Sequence, residues 1–129
     1  MELAFEKLGG LIPGVVQDHQ SGEILMLGYL NAEALEKTQS TGEVHFFSRS
    51  RKRLWKKGET SGHVLRVREV RIDCDADALL FRVEAVGPGV CHEGYRSCFF
   101  RALESDGRSP VIAERAFAPE NVYGKKNGQ

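Results

Sequence analysis

Val64-Leu65-Arg66-Val67-Arg68-Glu69-Val70-Arg71-Ile72-Asp73-Cys74-Asp75-Ala76-Asp77-Ala78-Leu79-Leu80-Phe81-Arg82-Val83-Glu84-Ala85-Val86 sets three aspartates and a cysteine between two runs rich in β-branched residues. Apolar and charged side chains alternate along much of both runs, the period of an extended chain with one face buried. The stretch therefore reads as two strands, Val64 to Cys74 and Leu79 to Val86, meeting at acidic residues. An EF-hand calcium loop is the rival reading, since Asp73, Asp75, Asp77 and Glu84 fall at its positions 1, 3, 5 and 12. It fails on two counts. Ala78 stands where that loop needs glycine for its sharp turn, and both flanks read as strands where the motif needs helices.

Working upstream, Leu11 to Asp18 and Glu23 to Tyr29 read as two apolar strands joined by a turn at Ser21-Gly22, a hairpin. Asn31 can cap a helix whose first residues, Ala32 to Lys37, are good helix formers, and Gly42 can end it in a left-handed conformation. Val44 to Ser48 reads as another strand. The expected class is mainly β, of the α+β kind, with one main helix. With 129 residues and 41% hydrophobic side chains, the chain is sized for a single domain over residues 1–129, with 124–129 expected to be a frayed polar tail. The balance of 18 basic and 18 acidic residues gives no global pull toward nucleic acid or an anionic membrane. The N-terminus lacks the features of a signal peptide, and no apolar run approaches the roughly 18 residues of a membrane span. The expected location is the cytoplasm.

Cysteine usage sharpens this. In a reducing compartment an odd set of three, Cys74, Cys91 and Cys98, argues against disulfides and for metal-binding thiolates or buried thiols. Thiolates are soft ligands suited to zinc, whereas carboxylates at alternate positions suit magnesium or calcium. Carried on through Ile72, strand alternation puts Cys74 on the face opposite Asp73 and Asp75, so two ligand shells are expected and not one. Three thiolates would leave a fourth tetrahedral position open to water, the mark of a catalytic zinc. Two plainer readings stay open: a cysteine packed as a small hydrophobe, and aspartates in a solvated turn.

A second constellation runs from Phe46 to His63. Six basic residues lie between Arg49 and Lys57, beside Trp55 and ahead of Gly58, Thr60 and Ser61. Guanidinium forks, ammonium groups, hydroxyls and backbone amides near glycine are the donors that hold phosphate, and an indole can stack on a base. A solvated basic turn or an RNA-contacting patch has the same composition.

Trp55-Lys56-Lys57-Gly58-Glu59-Thr60-Ser61-Gly62, Asp73-Cys74-Asp75-Ala76-Asp77-Ala78-Leu79-Leu80 and Cys91-His92-Glu93-Gly94-Tyr95-Arg96-Ser97-Cys98-Phe99, in that order, closely resemble phosphoribosyl-AMP cyclohydrolase of histidine biosynthesis. The likeness begins near Gly10 and ends around Arg101. It departs at Gly87 to Val90, one residue longer than usual, and at His63, where asparagine is frequent; neither touches a ligand. The resemblance implies a β pseudobarrel capped by a helix and built as a homodimer with metal sites at the interface. It implies one zinc per subunit, held by Cys91, Cys98 and Cys74 from the partner subunit, and magnesium held by Asp73, Asp75 and Asp77. The implied reaction is hydrolytic opening of the adenine ring of N1-(5-phosphoribosyl)-AMP, the third step of histidine biosynthesis. That makes the partner a small nucleotide substrate, with neither nucleic acid nor membrane involved. Within this frame His92, adjacent to Cys91, is the candidate for proton transfer, because imidazole is the side chain whose charge changes near neutral pH. Arg49, Lys57, Thr60 and Ser61 are assigned to phosphate or ribose contacts, and Trp55 to the base.

Overall fold

Strands supply most of the regular structure in the computed structural model, which describes residues 2–123. After a 3-10 turn, Phe5–Leu8, come β1 (Ile12–Asp18), β2 (Ile24–Leu30), α1 (Ala32–Thr41), β3 (His45–Ser48), β4 (Arg53–Lys56), β5 (Leu65–Ile72), β6 (Leu79–Ala85) and a helical turn, α2 (Glu120–Tyr123). The expected tail, 124–129, lies outside the described residues. Four strands form one sheet in the order β2-β1-β6-β5, and β3 with β4 forms a separate ribbon. β1 runs antiparallel to β2 and parallel to β6, while β5 and β6 pair antiparallel, Ile72 opposite Leu79.

Period-two patterning builds the centre. On β1 the positions Ile12, Gly14, Val16 and Asp18 are buried, and those between are half-buried. Ile12 and Val16 meet Leu25, Leu30, Val44, Phe46, Leu65, Phe81 and Val83, all fully buried, in one apolar cluster. Burying side chains of this size stabilises by about 1.5–3 kcal/mol each. Gly28 of β2 leaves room for the Phe46 ring, since a Cβ there would lie 2.5 Å from it.

The helix forms where its caps direct. Asn31 Oδ1 accepts from the Ala34 N–H at 2.8 Å, and Gly42, at φ +77°, returns its N–H to the Thr38 carbonyl. Thr38, buried, donates its hydroxyl to the Ala34 carbonyl and accepts from the His45 N–H at 2.9 Å, so the helix is tied to the start of β3.

The expected barrel does not close. The outer edge of β5 receives the Val44 N–H at Leu65, gives the Val67 N–H to Gly42, and makes one isolated bridge, Glu43 to Arg66. Residues 42–44 leave the helix cap and enter β3 at once, too short a segment to carry a ladder that would seal the gap. The basic run holds a strand that its composition does not announce: Arg53–Lys56 is extended, and Trp55 pairs across the ribbon with Phe46, ring centroids 5.3 Å apart.

Candidate active site

β5 stops at Ile72, so the expected alternation of Asp73, Cys74 and Asp75 between two sheet faces does not occur. Those residues form a turn instead. The Asp73 N–H donates to the Ala78 carbonyl at 3.1 Å, and Asp73 Oδ1 accepts from the Asp77 and Ala78 N–H groups at 3.0 and 3.2 Å. Ala76 adopts φ +64°, a conformation that L residues resist, and it is buried there. The turn draws the acids together: one carboxylate oxygen from each of Asp73, Asp75 and Asp77 lies within 4.8 Å of the others. Three hard oxygen donors at that spacing fit a divalent cation such as magnesium. Lys7 Nζ lies 3.3 Å from Asp77 Oδ2 and 3.6 Å from Asp75 Oδ2. Its pKa is raised, chiefly by the hydrogen bond to Asp77.

The second donor set lies on the loop after β6. Cys91 is buried, its N–H donates to the Tyr95 carbonyl, and its Sγ accepts from the Glu93 N–H at 3.4 Å. The other end of the loop is fastened to the β1–β2 hairpin. The Cys98 N–H donates to the Leu25 carbonyl, the Ser97 hydroxyl to the Ile24 carbonyl at 2.8 Å, and Arg96 pairs with Glu23 at 2.9 Å and Asp18 at 3.5 Å. Cys98 as a residue reaches solvent, yet protein crowds its sulfur enough that desolvation, followed by the nearby Cys91, pushes its thiol up to about 11. Lys57 acts on the same thiol in the opposite direction. Burial lowers the Lys57 pKa, and Cys98 and Cys91 partly offset that fall. Two sulfurs and an ammonium therefore share one place. A bound cation would reverse the cost of ionising these thiols, which makes the pair fit zinc. Cys74 is exposed on the acidic turn, and among the described residues of one chain it does not join Cys91 and Cys98.

Beside the thiols opens a cleft of about 440 Å³, lined by Trp55, Lys57, Thr60, Ser61 and His92, five of the six non-metal residues singled out from the sequence. The Lys56 N–H donates to Glu59 Oε1 at 3.1 Å, and the Gly62 N–H closes onto the Gly58 carbonyl at 2.7 Å, which shapes the Lys57–Ser61 wall as a tight turn. Lys56 and Arg53 pair with Glu43 and Glu59 at 3.0 and 4.0 Å, whereas Arg51 and Lys57 form no ion pair among the described residues. The cleft thus offers cations, hydroxyls and an indole on one concave surface, the donors a nucleotide needs.

Arg49, the sixth, is not brought there. Its guanidinium lies over the Tyr29 ring, 4.3 Å from the centroid, in an adjoining groove that shares Ser48 and Trp55 with the cleft. Sequence reasoning also passed over Arg51, Tyr123 and Lys7. Arg51 was within the basic run; Tyr123 and Lys7 belong to no motif and are placed by tertiary structure alone.

Residues 26–100 match the family model described as phosphoribosyl-AMP cyclohydrolase. The chain is 56% identical to the phosphoribosyl-AMP cyclohydrolase of Solibacter usitatus over 127 residues, 98% of this chain and 100% of that one. It is 60% identical to the protein of that name from Methanosarcina mazei, over 88% of this chain and 91% of that one, and 56% identical to the one from Desulforapulum autotrophicum, over 95% and 98%. The family match spans the acidic turn, the cysteine loop and the cleft turn alike, and with this identity over nearly the whole length the chain belongs to the phosphoribosyl-AMP cyclohydrolase family of hydrolases.

Proposed function

We propose that the chain opens the adenine ring of N1-(5-phosphoribosyl)-AMP by hydrolysis, giving the formimino-carboxamide ribonucleotide of histidine biosynthesis. The observation that carries this reading is the meeting of Cys91, Cys98 and Lys57 beside a cleft that also holds His92, Trp55, Thr60 and Ser61. Cys91 and Cys98 would hold a zinc ion together with Cys74 of the partner subunit. Bound there, zinc would supply a water acidified toward neutral pH, and magnesium at Asp73, Asp75 and Asp77 would offset phosphate charge. That Cys74 stands apart from the other two thiols within one chain supports a homodimer with shared sites.

The chain's own groups do the rest. Lys57, Thr60 and Ser61 hold phosphate or ribose oxygens, and Trp55 places the purine. A C–O bond forms at the amidine carbon bearing the exocyclic amine, the bond from that carbon to the ring nitrogen breaks, and the nitrogen leaves with a proton. His92, at the cleft, carries protons from the attacking water and to the departing nitrogen. Reduced thiols suit a cytoplasmic enzyme, and no helix of the described residues is long and apolar enough to cross a membrane.

The deciding experiment is turnover of N1-(5-phosphoribosyl)-AMP, followed by absorbance, with and without a chelator, alongside the metal content of the purified protein. Turnover that chelation abolishes and zinc restores is expected. Protein that retains zinc yet leaves this substrate untouched would overturn the reading.

A further inference from the structure

The family match ends at residue 100, yet the cleft is completed by Tyr123. Between them the chain is brought back to the cysteine loop by specific contacts. The Ala116 and Phe117 N–H groups both donate to the Gly94 carbonyl, at 2.7 and 3.2 Å, and Arg115 Nε donates to the Glu93 carbonyl at 2.8 Å. The Arg115 guanidinium also lies 5.2 Å from the centre of the Tyr95 ring. Gly94 permits this approach. It sits at φ +98°, and a Cβ on it would lie 2.6 Å from the Phe117 carbonyl oxygen and 3.0 Å from Pro119 Cδ. The Phe117 and His63 rings then meet in a T-shaped pair, centroids 5.1 Å apart at 90°, and His63 Nδ1 is itself 3.0 Å from the Gly89 carbonyl oxygen.

From that anchor Pro119 opens a single helical turn, closed by the Val122 and Tyr123 N–H groups donating to the Pro119 carbonyl. The turn delivers Tyr123 to the cleft that Trp55 and His92 line. We infer that Arg115–Tyr123 is a strap fixed across the cysteine loop, and that it presents the Tyr123 ring as a wall clasping the substrate purine opposite Trp55. This inference rests on the proposed nucleotide substrate. An aromatic ring on a short fixed turn contributes stacking area with few rotors to freeze, which suits a base whose glycosidic arms are held elsewhere. It also explains how the loop bearing Cys91 and Cys98 is supported from outside, for the strap's hydrogen bonds end on Glu93 and Gly94 between them.

Trp55 is the single tryptophan, so its fluorescence reports on this cleft. AMP, titrated into the zinc-loaded enzyme, is the probe. Tyr123→Ala is expected to raise the AMP Kd about 5- to 50-fold and to raise KM for N1-(5-phosphoribosyl)-AMP in parallel, with zinc content unchanged. Tyr123→Phe, which keeps the ring, should stay within about twofold of wild type. An AMP Kd for Tyr123→Ala within twofold of wild type would overturn the inference, and so would a loss in Tyr123→Phe as large as that in Tyr123→Ala. The turnover assay of the wild-type enzyme judges the proposed activity separately: an active enzyme indifferent to Tyr123→Ala sinks the clasp alone.

Discussion

Lys7 Nζ lies 3.3 Å from Asp77 Oδ2, across 70 residues of sequence, and so places the chain's own cation at the acidic turn. The Ala4 N–H holds the N-terminal segment there by donating to the Ala76 carbonyl at 2.7 Å. An ammonium seated on two prospective metal ligands competes with a divalent ion. Lys7→Met should therefore tighten manganese binding, read by electron paramagnetic resonance of the free ion, by up to about fivefold at low salt, and less at high salt. Lys7→Arg should match wild type. Equal manganese affinity in wild type and Lys7→Met would end the competition argument.

A zinc site shared across a dimer makes a prediction that a site within one chain does not. Cys74→Ser and Cys91→Ser are each expected to lose zinc and on the order of a thousandfold in kcat/KM. Unfolding and refolding the two variants together should restore roughly a quarter of wild-type activity, because half of the dimers formed carry one intact site. Activity that never returns on mixing would assign all three cysteines to the same subunit or to no shared site.

His92 is exposed at the cleft, free of the packing that would give it a structural task. Its replacement by alanine should lower kcat by about 10²–10⁴-fold and remove one limb of the pH–rate profile, with melting temperature and zinc content kept. A variant with a normal kcat and an unaltered pH profile would release His92 from proton transfer.

Asp18 links stability to pH. Its carboxyl is held below its ordinary value chiefly by the Ser21 backbone N–H; burial opposes this as the next largest effect, and the Ser21 hydroxyl and the Arg96 guanidinium add smaller pulls downward. A carboxylate whose folded pKa is depressed stabilises fully above its unfolded value, ordinarily 3.8, and that contribution is lost as pH falls through the lower folded value. Asp18→Asn should cost about 1 kcal/mol at pH 7, and the gap to wild type should narrow once pH drops below about 4. Because Arg96 belongs to the cysteine loop, zinc retention should weaken alongside. Thermal melts at pH 7 and pH 3 check the first expectation. A gap of the same size at both would dissociate the effect from the Asp18 charge.

Local chemistry was what the sequence made legible. Asn31 and Gly42 bracket the helix because capping needs only neighbouring backbone groups, and the β1–β2 hairpin follows from apolar runs around Ser21-Gly22. The thiols and carboxylates announced themselves by type, and the family's motifs confirmed the protein's kinship. What escaped depended on distance or on competition. The strand ended at Ile72 because the Asp73 carboxylate captures two amides that a ladder would otherwise use, an outcome pleat alternation cannot foresee. Arg49 turned to the Tyr29 ring, away from the cleft. Barrel closure failed on the length of residues 42–44, and Tyr123 reaches the cleft by contacts to Gly94 that no local pattern encodes.

The parallel pairing of β1 with β6 bears on how the molecule is assembled in time. Gly14 faces Leu79 in that ladder, so the centre of the sheet cannot exist until the chain has been made through β6 and a long loop has been closed, a slow and entropically costly event. The acidic turn enters β6 and the cysteine loop leaves it. Both segments therefore flank the strand whose docking completes the sheet, and the position of the cysteine loop against the β1–β2 hairpin, where the Cys98 N–H meets the Leu25 carbonyl, is fixed only in that late step.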